Sequence, residues 1–275
     1  MESNDIPIAD EEISSQLIGL KKKSFFSEKK YLIGIIALII VVIAIIIIVS
    51  VALASSGKQN EDDEQEKAII GEFNCVYDVQ STSQNTILLG SNFKKNTDFG
   101  IYIGDKKVKY SRLYQFDKIG MTNVKYKIYE DVDMDYMFED VQDLISIELF
   151  TEKNAKIKSM ISAFENCNNL EKVNITGFDT SQVKSMHKLF YNTGLSDKES
   201  LILNIDTQNL EDISYMFSLT KFHDFDISFL NTKKVLNMSH LFEGCISLNF
   251  LNIESLDTSQ VIDMSNVFYQ CESLK

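Results

Sequence analysis

LDTSQVIDMSNVFYQCESL, Leu256 to Leu274, is the stretch that decides the fold, because altered copies of it recur upstream. Phe138, Phe164, Phe190, Phe217, Phe242 and Phe268 follow one another at spacings of 26, 26, 27, 25 and 26 residues, and four residues before each stands Met134, Met160, Met186, Ile213, Met238 or Met264. DTSQV occurs identically at Asp179–Val183 and Asp257–Val261, 78 residues apart, which is three periods. A repeat in the range of about 20–50 residues marks a solenoid, in which each unit buries its apolar face against its neighbours.

Each unit divides into three parts. In the first, Ile147 and Leu149, Val173 and Ile175, Leu203 and Ile205, Phe225 and Ile227, and Leu251 and Ile253 alternate with polar residues. Period two predicts one short strand per unit, apolar side inward, with Glu148, Asn174, Asn204, Asp226 and Asn252 forming an outward row, the candidate ligand face. The second part is polar: Asp179-Thr180, Asp206-Thr207, Asn231-Thr232 and Asp257-Thr258 suit a turn that caps a helix, with Gln182 or Gln260 completing a capping box. In the third, Val183, Met186 and Phe190, and likewise Val261, Met264 and Phe268, fall at i, i+3 and i+7, which predicts one short apolar-faced helix per unit. Asn166, Asn192 and Gly244 then suit the left-handed residue that ends such a helix. The expected fold is therefore an α/β solenoid, leucine-rich-repeat-like, with one parallel strand and one helix in each of six units over 131–275. Its weakest junction is expected at Gly194–Ser200, GLSDKES, where the spacing lengthens to 27.

FDTSQVKSMHKLFYNTGL at Phe178–Leu195 and the Leu256–Leu274 string resemble the surface-protein repeat, roughly 26 residues long, of BspA-type leucine-rich-repeat proteins (DUF285-like). The resemblance covers about half the chain and implies a solenoid on a bacterial or protist cell surface, with adhesion or recognition as its work. Ser218, Leu219 and Thr220 depart from the pattern, since the fourth unit lacks both the Asn/Gly turn and the Cys.

Upstream, residues 1–30 show no apolar period and read as a cytoplasmic disordered tail ending in a Lys cluster. Tyr31 to Ala54 holds no charge over 24 residues, enough for a membrane-spanning helix of roughly 36 Å. The Lys-rich flank places the N-terminus inside and the C-terminal domain outside, giving a single-pass protein of the plasma membrane or cell surface. A cleaved leader ending at Ala54 is the competing reading, against which the apolar run is too long. A charged linker follows (55–72), then a β-rich module (73–130) expected to cap the first repeat. In it Ile101 and Ile103 face Val108 and Tyr110 across a Gly104–Lys107 turn, and a second strand pair is suggested by SRLYQF and the strand after Gly120.

The formal net charge of −13 argues against nucleic acid. No metal-ligand spacing, phosphate loop or nucleophile motif is present, so neither a cofactor nor an enzyme is expected. His187, His223 and His240 occupy different repeat positions and are expected to face different ways. Cys167, Cys245 and Cys271 read as a ladder of small buried side chains, with Cys245 and Cys271 within bridging reach of each other. Asn174 and Asn237 begin glycosylation sequons. Two functions follow: recognition of an extracellular protein or glycan, or a structural coat built by lateral self-association.

Overall fold

Alternation decides the first strand. In GEFNCVYDV, Phe73, Cys75, Tyr77 and Val79 are buried and the residues between them half-exposed, making β1 (Gly71–Val79) a strand with one face on the core. The computed structural model describes residues 67–275. The chain continues through β2 (Thr86–Ile87), the hairpin of β3 (Phe99–Ile103) and β4 (Lys106–Val108), then β5 (Leu113–Tyr114) and β6 (Gly120–Ile128). Ile101 faces Val108 across the hairpin, whose turn needs a left-handed residue and finds it in Gly104, at φ +59°. β6 lies between β1 and β3, antiparallel to both. β5 pairs with β2 and not with the strand after Gly120, so the second expected strand pair is corrected.

The repeats follow as β7 (Val132–Asp133), β8 (Leu144–Phe150), β9 (Ile157–Ser159), β10 (Lys172–Thr176), β11 (Leu201–Leu203), β12 (Asp224–Asp226) and β13 (Phe250–Asn252). β8, β10 and β11 stack in parallel, and β1 pairs antiparallel with the free edge of β8, giving one seven-stranded sheet in the order β11-β10-β8-β1-β6-β3-β4. β12 and β13 form a separate parallel pair. A second ladder runs along another side of the coils, through β7 and β9 and then the bridges Ser185 to Asp212 to Asn237 to Asp263.

The fold class expected from sequence is corrected at the third part of each unit. No helix occurs among the described residues, and the fold is a β-solenoid. The backbone explains why. Every unit carries two left-handed residues four apart: Tyr136 and Asp140, Ser162 and Asn166, Lys188 and Asn192, Tyr215 and Leu219, His240 and Gly244, Asn266 and Gln270. A right-handed helix admits neither. Alternate amides instead point along the stack: Met186, Lys188, Phe190 and Asn192 donate to the carbonyls of Asp212, Ser214, Met216 and Ser218 in the next coil. Those between them, Leu189 and Tyr191, close local turns on Met186 and Lys188. Strands of adjacent coils sit about 4.8 Å apart. A helix, about 10 Å wide, would force the coils to fan open on its side. The turn ladder lets both sides rise by nearly the same step, as the Phe rings show. From Phe138 to Phe268 successive centroids lie 5.7, 5.7, 5.8, 5.6 and 6.1 Å apart, with planes within 12° of parallel. Val183, Met186 and Phe190 are fully buried, as the i, i+3, i+7 spacing requires, but on turns.

The polar turns are likewise not helix caps. The carboxylates of Asp179 and Asp257 and the carboxamide of Asn231 accept from the amide two residues on, forming Asx turns. The threonines tie coils together. The Thr180 hydroxyl donates to the Asp206 carbonyl at 2.9 Å and accepts from the Asp206 amide at 2.7 Å. Thr207 and Thr232 bridge to Phe229 and Asn231, and to Asp257, in the same way. Each Cys donates to the Phe carbonyl of the preceding coil, Cys167 to Phe138, Cys245 to Phe217 and Cys271 to Phe242, and all three are free thiols. Burial pushes the Cys245 thiol up to about 11.

The single-pass membrane assignment rests on residues that the structure does not describe. Among the described residues no helix is long and apolar enough to cross a membrane, and Tyr31 to Ala54, like the tail before it, lies outside the described residues.

Candidate functional site

Because side chains alternate across a strand, the outward residues of the seven-stranded sheet can be read off the register. Lys107, Tyr102, Lys125, Asn74, Glu148, Asn174 and Ile202 lie side by side on β4, β3, β6, β1, β8, β10 and β11. One pleat along, Asn123, Val76, Ser146 and Lys172 form the next row. Between these rows runs a groove of about 510 Å³, a size typical of ligand sites. Its lining is amide-rich: Asn74, Asn123 and Asn174, with Ser146, Glu148, Lys125, Lys172 and the Tyr102 ring.

The groove is held by specific contacts. A β-carbon at Gly100 would stand 2.9 Å from the Tyr102 ring, so the bare glycine is what lets that ring lie down along the sheet. The Lys127 ammonium sits 4.3 Å from the ring centroid, and the Tyr102 and Tyr129 hydroxyls are 3.0 Å apart. Lys125 is paired with Glu72 at 2.9 Å. The Asn174 carboxamide donates to Glu148 at 3.2 Å, while its own oxygen is sealed from solvent without a hydrogen-bond partner. An unsatisfied acceptor of this kind costs on the order of 1–3 kcal/mol.

Of the residues expected from sequence, Glu148 and Asn174 meet in this groove, and Asp226 and Asn252 face each other on β12 and β13. Asn204 does not join the row. β11 is Leu201–Leu203, so Ile202 takes the place beside Asn174, and Asn204 falls one pleat on, its amide donating to Ile175. Leu201, Leu203 and Ile205 have the same alternation in either register, which is why sequence could not fix it. Ile253 is exposed rather than inward. Asn237 is half-buried, its oxygen accepting from the Ser239 amide and hydroxyl. Sequence reasoning missed Asn74, Tyr102, Asn123 and Lys125, because they lie outside the repeat and reach the groove only through the pairing of β1 with β8.

A second cluster lies on the turn side. The His187 ring meets Tyr215 edge-on at 5.9 Å, and His240 stacks on Tyr215 at 4.2 Å, so these two histidines converge instead of facing different ways. His240 occupies the same repeat position as Tyr215, two residues before its Phe, which the sequence does carry as a signal. His187 Nδ1 lies 2.7 Å from the Ser214 hydroxyl, which donates to Asp212 at 2.6 Å. With that proton committed to Asp212, Ser214 accepts from His187. Its hydroxyl, on a residue 2% exposed, is neither activated nor reachable as a nucleophile. Burial lowers the His187 pKa, so the ring is neutral at physiological pH. Among the described residues no group of three or more His, Cys, Asp or Glu is placed to hold a metal ion.

No curated protein and no solved structure matches the chain. The repeat and the solenoid fit a surface-repeat protein. A family model described as "Mycoplasma protein of unknown function, DUF285" matches residues 111–199, 132–221 and 193–275, more than half of the chain, and the chain belongs to that family.

Proposed function

We propose that the chain is a non-catalytic recognition protein that binds a macromolecular partner, an extracellular protein or glycan, through the outer face of its seven-stranded sheet. One observation carries the reading: a polar row in register across β6, β1, β8 and β10 that core packing does not require. Consensus residues are consumed inside the stack, as the buried Phe, Met and Thr ladders are, and leave this face as the variable surface. The test is a cell-adhesion and pull-down assay with the triple variant Asn74→Ala, Glu148→Ala, Asn174→Ala. Its exposed or half-exposed sites leave folding intact, and loss of partner binding is the expected result. Unchanged binding would assign recognition to another face. Concentration-dependent self-association in sedimentation, with no binding to cells, would instead favour a laterally packed coat.

A further inference from the structure

Resting on that reading of the face, we infer that the groove between Tyr102 and Lys172 binds a neutral oligosaccharide. Backbone groups on the floor are consumed by the pairing of β6, β1, β8 and β10, so a ligand is held by side chains alone and not as an added strand. The groove lining has no Trp or Arg and a single Tyr, so it lacks the cluster of anchors that centres a protein interface. Its polar groups are three carboxamides, a serine, a carboxylate and two lysines, beside an aromatic wall. Carboxamides both donate and accept, and so do the hydroxyls of a sugar. The aromatic wall suits the apolar face of a pyranose.

Charge gives an anionic sugar no advantage. Lys125 is paired with Glu72 at 2.9 Å, and the other lysine of the lining, Lys172, is balanced by its one carboxylate, Glu148, which stands between Asn74 and Asn174 on the floor, where it repels a carboxylate or sulfate. The described residues as a whole carry 21 Lys and Arg against 29 Asp and Glu, adding to that repulsion. Glu148 is instead a hydroxyl acceptor. Its bond from Asn174, at 3.2 Å, is at the long end of the range, and a sugar hydroxyl inserted there would donate to Glu148 and accept from Asn174.

Calorimetric titration of the full-length chain with lactose, maltotriose and triacetylchitotriose, and with sialyllactose as the acidic counterpart of lactose, tests this. At least one neutral sugar is expected to bind, with an affinity unchanged by added salt, and sialyllactose to bind no better than lactose. Tyr102→Ala and Glu148→Gln should each weaken binding by about tenfold, equivalent to about 1.4 kcal/mol. Glu148→Gln keeps the shape, so its loss is not one of folding. Absence of binding by all three neutral sugars, salt-sensitive binding of sialyllactose alone, or binding indifferent to both substitutions would each overturn the inference. If no sugar binds yet the face variant still abolishes partner binding, the recognition reading survives and the glycan assignment falls. If a sugar binds through Tyr102 and Glu148 while partner binding ignores the face, the reverse holds.

Discussion

Phe190 and Phe268 hold the same place in the repeat and differ only in neighbours. Phe190 is sandwiched between Phe164 and Phe217 and fully buried, whereas Phe268 stacks on Phe242 alone and is 42% exposed. Phe190→Ala should therefore cost about 3–5 kcal/mol in urea unfolding. Phe268→Ala should cost roughly 1 kcal/mol, and equal costs would refute the stack as the source of stability. The carboxylates set the acid response at the same scale. Hydrogen bonds from Ser181, Ser228, Ser259 and Ser265 hold Asp179, Asp226, Asp257 and Asp263 below the usual carboxylate range. Their folded pKa values are depressed, so their contribution is full above the unfolded value of about 3.9 and is lost as pH falls through the folded ones. Desolvation raises Asp135, Glu139 and Asp143, which has the opposite sign: protonation as pH falls towards about 4 favours the folded state. The His187 ring, whose pKa burial lowers, costs stability as pH falls below its unfolded value of about 6.5. Unfolding free energy should accordingly peak at mildly acidic to neutral pH and drop below about pH 4. A maximum at alkaline pH would contradict these assignments. The anchor residues were legible in the sequence because burial repeats every coil. Asn204 was not, because an alternating pattern shifted by two looks the same.

At the scale of the element, the strand, turn and anchor segments were all visible as periods, and the turn-for-helix substitution was not. Apolar residues at i, i+3 and i+7 face inward on a helix and also on this succession of turns, so side-chain spacing does not separate the two. The Asn and Gly positions held the information, since Asn166, Asn192 and Gly244 are left-handed as expected. Their partners four residues earlier, Ser162, Lys188 and His240, carry no residue-type signal for φ above zero. The turns owe their coil-to-coil fastening to the threonines. Thr180→Val keeps the shape of a residue with no exposure and removes both halves of the bridge to Asp206. The cost should be about 1–3 kcal/mol, the range for leaving buried groups unpaired. Thr258→Val is the internal control: among the described residues the exposed Thr258 makes no such bridge, and its replacement should leave the denaturation midpoint unchanged. A Thr180 variant as stable as wild type would mean that the bridges only accompany the packing.

Across residues 67–275, the two sides of the solenoid differ in continuity. The turn side is unbroken from Ser185 through Asp212 and Asn237 to Asp263. The strand side divides, because β11 and β12 do not pair. Where the spacing lengthens to 27 residues, the detour at Gly194–Ser200 takes over, with Lys221 donating to Leu195 at 3.1 Å and His223 to Ser196 at 3.3 Å. The core closes the gap with aromatic bulk, Phe222 stacked on Phe225 at 4.0 Å and Phe225 against Phe217 at 5.0 Å. The outer face is thus two surfaces, one ending at Ile202 and another on β12 and β13, and only the first includes the groove. A nearest-neighbour stack is weakest where its interface is least paired. Native-state hydrogen exchange should find the amides of β11 less protected than those of β10, one coil away, although both strands lie in one sheet. Limited proteolysis of the solenoid should cut first at the exposed run Asp197, Lys198 and Glu199, leaving β1 to β10 in one fragment and β11 with β12 and β13 in the other. Uniform protection across β10 and β11, with no early cut in that run, would mean that the Phe and Asp/Asn ladders on the turn side make the two halves a single cooperative unit.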